Sequence, residues 1–255
     1  MLSPAYDLSH VYGEHGRWHQ CGAQGGLRPG VTTVLGRTVS PEKAATLDAW
    51  RARVGADQAE LIKKRATDLG SYVHAKIEAA LLDQPFSPPP GITLDEEQLE
   101  KAAAMWRKAQ PILGEISRVI AIECPCKWHG PDPQELTPSW GYAGSVDCIA
   151  EVHGQVMLLD WKTTSSGGGS KPRSWTHDYE LQCSAYVNAA QFTYPELPPI
   201  EMAAIVTFPA SGRPSIIELD RDELFHAANE FGQQRLTPFY EQLRKEAKDD
   251  LLALA

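Results

Sequence analysis

Tyr142-Ala-Gly-Ser-Val-Asp147-Cys-Ile-Ala-Glu-Val152, then His153-Gly154-Gln155, then Val156-Met-Leu-Leu-Asp160-Trp-Lys162, reads as a β-hairpin on which the rest of the chain is organised. Both flanks are rich in β-branched and apolar residues, and Gly154 suits a tight reversal. A two-residue turn at His153-Gly154 pairs Val152 with Gln155. Counting outward along that ladder sets Asp147 opposite Asp160. Side chains two apart on a strand share a face, so Lys162 points the way Asp160 does, one step further on.

Three charged groups thus converge in a stretch that is otherwise Val, Ile, Met and Leu. Like charges facing each other across a sheet are destabilising, and burying an ionised carboxylate is costly without compensation. A bound divalent cation removes that cost. Mg²⁺ takes one or two carboxylates, retained waters and phosphate oxygens, and a lysine beside it can orient an attacking water or stabilise charge developing on a phosphate. An isolated Asp-x-Lys in a strand is ordinarily a surface ion pair; the facing Asp147 sets this one apart.

Outward from the hairpin, a Ser/Gly run from Ser165 to Ser170 is either a flap or a flexible link. It leads to a helix expected over about Asp178 to Gln191, strands near Glu201 to Phe208 and Ser215 to Leu219, and a C-terminal helix from about Asp220. Upstream, Glu115 to Cys124 reads as a strand, preceded by a helix over about Asp95 to Gln110. Pro85 to Gly91 breaks the chain with four prolines and reads as a loop. Before it, Ala44, Leu47, Trp50 and Val54 recur at helical spacing after Pro41, and a second helical run extends from Ala56 to Leu82. Tyr6 to Gly30 reads as short strands and turns leading into Val31-Thr-Thr-Val-Leu35. The fold class is α/β, with a mixed central sheet flanked by helices and a helical N-terminal half. We expect a single domain over 1–255, with 1–115 forming the side by which a substrate enters, 116–219 the core and 220–255 a C-terminal helix.

The composition sets limits. The chain has 255 residues, 42% hydrophobic and 22% charged, which is ordinary for one globular domain. The five cysteines are an odd number and do not suggest a disulfide framework. Cys124-Pro-Cys126 lacks the second ligand pair that an iron–sulfur or zinc site needs. No apolar run reaches membrane-spanning length, and the start has no secretory pattern, so the expectation is a cytoplasmic chain with no membrane partner. A formal net charge of −9 argues against a generally basic, nucleic-acid-coating surface, so contact with a phosphate backbone must be local.

Several short patterns together carry a resemblance. Gly144-Ser-Val-Asp147, Leu158-Leu-Asp160-Trp-Lys162-Thr and Gln182-Cys-Ser-Ala-Tyr186, with Gly70-Ser-Tyr-Val-His74 upstream and Glu123 at a strand end, resemble the PD-(D/E)XK nuclease superfamily in its RecB-like branch. Val31-Thr-Thr-Val-Leu35 and Leu47-Asp-Ala-Trp50-Arg-Ala-Arg-Val-Gly55 are similar to a subgroup holding phage exonucleases and the mitochondrial genome maintenance exonuclease. The resemblance implies a restriction-endonuclease-like core and a chain encoded by a bacterium or a phage. It also implies that Asp147, Asp160 and the Trp161 carbonyl hold one or two Mg²⁺ or Mn²⁺ ions with His74. Lys162 would then serve the attacking water, and Glu123 would support these ligands or hold a second ion. Gln182 and Tyr186, four apart on a helix and so on one face, would hold the catalytic strand and the phosphate backbone, though a tyrosine at that spacing equally often just buries its ring. Nothing after Cys183 is cysteine, so no iron–sulfur cluster is implied. The chain has no phosphate-binding Gly-x-x-x-x-Gly-Lys-Ser/Thr loop, so ATP is not implied either.

A basic and aromatic footprint for DNA is expected from Arg51, Arg53, Lys63, Lys64 and Arg65 on the helical half, and from Lys171, Arg173 and Trp175 after the catalytic strand. Such a mix suits single strands held without base readout, although charge runs are usually solvated faces. The expected function is a metal-dependent DNA exonuclease acting on single-stranded ends in repair, recombination or replication. The alternatives are a structure-selective endonuclease and a catalytically silent module that binds DNA ends in recombination.

Overall fold

The hairpin forms as counted from its turn outward and stops one step short of the expected Asp147–Asp160 pair. In the computed structural model, which describes residues 1–13, 16–22, 26–131, 134–135, 140–165 and 173–253, β5 (Tyr142–Val152) and β6 (Gln155–Thr164) pair from Val152↔Gln155 to Cys148↔Leu159. His153 and Gly154 both adopt positive φ, 50° and 79°, as a two-residue turn matching the twist of its strands requires.

The hairpin lies inside a five-stranded sheet of order β4-β5-β6-β7-β8, with β4 Ile116–Trp128, β7 Met202–Pro209 and β8 Ser215–Leu219. Every neighbouring pair is antiparallel except β6 with β7. That parallel pair needs a crossover, and α5 (Arg173–Thr193) supplies it.

Helices cover both faces of this mixed α/β sheet. On one side α3 (Ala56–Leu81) and α4 (Glu96–Leu113) lay Leu69, Val73, Ile77 and Met105 against Met157, Leu159, Trp161 and Phe208. On the other, α1 (Val31–Arg37), α5, α6 (Arg221–Glu230) and α7 (Thr237–Ala253) pack Val34, Leu181, Leu224 and Phe239 with Val146, Leu158 and Ile205. Alternation along β6 thus sends Met157, Leu159 and Trp161 one way and gives Asp160 the parity of Leu158. The five cysteines are all buried free thiols. Among the described residues no helix is long and apolar enough to cross a membrane.

A second, three-stranded antiparallel sheet of β1 (Leu8–Gly13), β2 (Gly16–Cys21) and β3 (Leu27–Pro29) precedes α1. The β-branched run at Val31 is helical because Val31, Val34 and Leu35 are all buried; tertiary packing overrides a modest helix propensity. α2 (Pro41–Val54) is capped by Ser40, with Pro41 in its first turn, and has no buried residue. Its apolar stripe stands off the sheet, with Leu47 39% exposed.

The C-terminal segment departs from the single helix expected from Asp220. A capping box of Asp220 and Glu223 starts α6, and a π-helical segment, Phe231–Leu236, separates it from α7. The π turn inserts a residue, which lets Phe231, Leu236, Phe239 and Tyr240 all reach the core, each at most 1% exposed.

Candidate active site

The β5–β6 ladder opens where the charged residues begin. One step beyond the last pair, the backbone N–H of Trp161 donates to Asp147 Oδ2 at 2.8 Å, so a side chain takes the place of a strand partner. The carboxylate is held by that bond, leaving Oδ1 facing α3.

α3 comes close to β6 at a glycine. A Cβ on Gly70 would stand 3.2 Å from Thr163 Oγ1, so the small residue permits a tight approach. One turn later, His74 Nδ1 lies 3.8 Å from Asp147 Oδ1, and its ring sits against the Trp161 backbone. The Gly-x-x-x-His spacing thus has a physical meaning: the glycine brings the helix down and the histidine lands on the carboxylate.

Glu123 arrives from β4. The pairs Ile122↔Cys148 and Cys124↔Val146 bracket it opposite Asp147, and its φ is +43°, a left-handed conformation that is costly inside a strand and characteristic of functional positions. Ser145 Oγ donates to Glu123 Oε2 at 3.2 Å. Ligand atoms of His74, Glu123 and Asp147 all lie within 4.8 Å of one another.

The electrostatics suit a cation. Burial, then Asp147 and Glu78, push the Glu123 carboxyl up to about 8, even though one side of it opens to solvent. Burial likewise raises Asp147. His74 is pushed down to about 4 by burial and by Lys162, so its imidazole is neutral, the form that ligates metals. A neutral imidazole and two carboxylates short of counter-charge fit a divalent ion.

Asp160 lies behind this group. It is 1% exposed, pushed up to about 6 by burial, and its Oδ2 stands 2.5 Å from Lys162 Nζ in an ion pair. Burial works against the charge on Lys162, but Asp160 and Asp147 outweigh it and raise the ammonium above its ordinary value. Lys162 Nζ also donates to Gln182 Oε1 at 3.2 Å and sits 5.0 Å from the Tyr179 ring centroid. Gln182 is therefore a holder of the lysine. Tyr186 is 4% exposed and packs on Gly144, where a Cβ would come within 2.6 Å of Tyr186 Cε1. We expect Gly144→Ala to destabilise the fold by about 1–3 kcal/mol, as overpacking does, read from the urea midpoint. An unchanged midpoint would mean that the tyrosine is not wedged there.

His74, Glu123, Asp147, Lys162, Gln182 and Tyr186 line a cavity of about 460 Å³, and Asp160 lies outside its lining. Its remaining wall comes from the N-terminal sheet through His10, Arg17 and His19, with Thr32 of α1, residues that pattern reading did not single out. Their only sequence signal is the clustering of His and Arg between His10 and His19.

The expected DNA footprint is more occupied than its charge suggests. Arg51 pairs with Asp48, Lys63 with Glu60, Lys64 with Asp68, and Arg65 with both Asp95 and Glu97. Arg53 is exposed on α2. Lys171 and most of the Ser165–Ser170 run lie outside the described residues, as do the side chains of Arg173 and Trp175 at the start of α5.

No family model matches the chain. Over 168 residues, 63% of this chain, it is 30% identical to mitochondrial genome maintenance exonuclease 1 of Mus musculus and 29% identical to that of Homo sapiens. The Xenopus tropicalis protein is 28% identical over 174 residues. The match spans less than half of these relatives, 44% of the mouse protein. A solved structure of a candidate exonuclease from Eubacterium rectale superposes with a TM-score of 0.48 at 16% identity, over 71% of this chain and 68% of that one. The curated relatives are vertebrate proteins, so the expected bacterial or phage origin draws no support from them.

Proposed function

We propose that this chain is a divalent-metal-dependent DNA exonuclease of the PD-(D/E)XK type, hydrolysing phosphodiester bonds from single-stranded ends in DNA repair, recombination or replication. The observation that carries the reading is the convergence of His74, Glu123 and Asp147 within 4.8 Å, beside Lys162 in one open cavity. Relatives named as exonucleases support it.

In this reading His74, Glu123 and Asp147 hold the ion, and Asp160 keeps Lys162 in place from behind while adding negative charge to the ion's surroundings. A divalent ion supplies Lewis-acid polarisation of the phosphate and cancels the carboxylate charge. Lys162 is raised above its ordinary range by its carboxylate neighbours. As an ammonium it donates hydrogen bonds to the phosphate and offsets the charge that develops there. Gln182 fixes the direction of that ammonium.

Covalently closed circles separate end-dependent from internal cleavage. We expect Mg²⁺-dependent loss of linear single strands with circular single strands of the same sequence left intact. Cutting of the circle would replace the exonuclease reading with a structure-selective endonuclease.

A further inference from the structure

We propose that Arg17, with His10 beside it, forms a phosphate clamp on the wall of the cavity facing the metal-ligand cluster, taking the nonbridging oxygens of a phosphate on the bound strand. The inference deepens the nuclease reading and rests on it.

The first argument is electrostatic. The chain carries a net charge of −9, and four of the five basic residues expected to meet DNA on α2 and α3 are paired with carboxylates. Phosphate attraction must then come from cations placed where the strand goes. Among the described residues lining the cavity, the permanent cations are Lys162 and Arg17. Lys162 is tied to Asp160 on one wall. Arg17 stands near the opposite carboxylate, close enough to pull the Glu123 carboxyl downward against burial. A phosphate approaching Glu123 and Asp147 is repelled by both, and Arg17 supplies the planar, two-pronged donor that suits phosphate oxygens.

The second argument is anchoring. The Arg17 backbone is fastened at both ends: its N–H donates to Thr33 Oγ1 at 3.2 Å, and its carbonyl accepts from Thr33 Oγ1 at 2.9 Å and from the Gly30 N–H at 3.0 Å. The Gly30-Val-Thr-Thr33 run is thus a bracket for one residue of the hairpin. Gly30 must be small, because a Cβ there would stand 3.0 Å from His19 Nε2 and 3.3 Å from the Arg17 carbonyl. Such anchoring holds the half-buried Arg17 in one place, as a side chain that must meet its ligand in a set geometry requires.

The third observation is independent of Arg17. His19 lines the same cavity, is 1% exposed, and has no hydrogen-bond partner at either ring nitrogen. Buried polar groups nearly always have partners, and leaving one without is costly. His10 packs edge-on against it with centroids 4.9 Å apart and is itself exposed. Two imidazoles packed edge to face at the cavity wall beside a fixed guanidinium offer hydrogen-bond donors, and an oxygen-rich ligand matches them.

The phosphate comes either from a strand terminus or from an internal phosphodiester, and oligonucleotide ends separate the two. Binding of a 3′-fluorescein single strand, with a 5′-phosphate or a 5′-hydroxyl, would be followed by anisotropy in Ca²⁺ across a salt series. We expect Arg17→Ala to weaken binding about tenfold and to lower the slope of log K against log salt by about 0.7, the value for one lost phosphate contact on a single strand. Arg17→Lys keeps the charge and the backbone anchors, so its slope should stay near wild type while affinity falls partway. Loss confined to the 5′-phosphorylated strand identifies a terminal phosphate; equal loss on both identifies the internal backbone. An Arg17→Ala variant with wild-type melting temperature, affinity and slope overturns the clamp while leaving the nuclease reading intact. Should that variant not fold, an Arg17→Lys variant equal to wild type in affinity on both strands overturns it instead. Wild-type protein that neither binds nor cleaves any strand overturns both.

Discussion

Replacing Asp147 with Asn should abolish DNA cleavage, by about a thousandfold or more as for the loss of one member of an interdependent catalytic set, without unfolding the protein. The asparagine oxygen can still accept the Trp161 N–H that now bonds to Asp147 Oδ2 at 2.8 Å, so the β5–β6 opening should persist. What disappears is one of two carboxylates that burial already holds above their ordinary range. In EDTA the variant should therefore melt at the same temperature as wild type or higher, since it no longer confines a like-charged pair. Adding Mg²⁺ or Mn²⁺ should raise the melting temperature of wild type and leave the variant where it was. This crossing of stability and activity distinguishes a working site from a structural one, because a residue kept for packing would lose both together. Aggregation or a large drop in melting temperature in EDTA would assign Asp147 a structural role.

Lys162→Met carries the second large effect, and here pH decides the outcome. Cleavage should fall by about 10²–10³-fold, the range for removing one charge-stabilising donor. The variant also strands Asp160, which is 1% exposed and stands 2.5 Å from Lys162 Nζ; breaking a buried pair in this way costs about 3–5 kcal/mol when the remaining charge stays ionised. The Asp160 carboxyl is already pushed up to about 6 in the presence of the lysine, and without it the value must rise further. A carboxyl whose folded value exceeds its unfolded one loses stability as pH climbs through the folded value. Thus at pH 5 the variant should be close to wild type, because Asp160 takes up a proton, and the deficit should widen toward pH 8. Urea unfolding at both pH values reads this directly. Adding Asp160→Asn should restore stability at pH 8 without restoring cleavage. A deficit independent of pH would mean that the lysine matters for its packing and not its charge.

The parts of the site that sequence made legible are those governed by short-range arithmetic. The His153-Gly154 turn fixes the pairs from Val152↔Gln155 to Cys148↔Leu159, so the nearness of Asp147 to the Asp160–Lys162 strand follows from counting, while the opening of the ladder at Asp147 does not. The step from Gly70 to His74 is legible only through the resemblance, since a histidine on a helix beside Val73 and Ile77 reads by itself as packed or solvated. What could not be counted depends on long-range closure. Arg17 and His19 reach the cavity only because β2 is fastened to Gly30 and Thr33, and no local pattern announces that. The left-handed turn at Glu123, which aims its carboxylate, is likewise invisible in a β-branched run. The occupied footprint on α2 and α3 is readable from spacing: Asp48 and Arg51, Glu60 and Lys63, Lys64 and Asp68 are three or four apart and pair along the helix surface. The apolar stripe of α2 shows the reverse limit, since periodicity reports a face but not whether anything covers it.

The account stands most directly on one experiment, cleavage of an end-labelled linear single strand by protein stripped with EDTA and then titrated with Mg²⁺ or Mn²⁺, alongside Asp147→Asn. The prediction is no cleavage in EDTA, saturable recovery with the ion for wild type, and none for the variant at any concentration. Undiminished cleavage in EDTA, or recovery in the variant equal to wild type, would contradict a metal centre built on His74, Glu123 and Asp147.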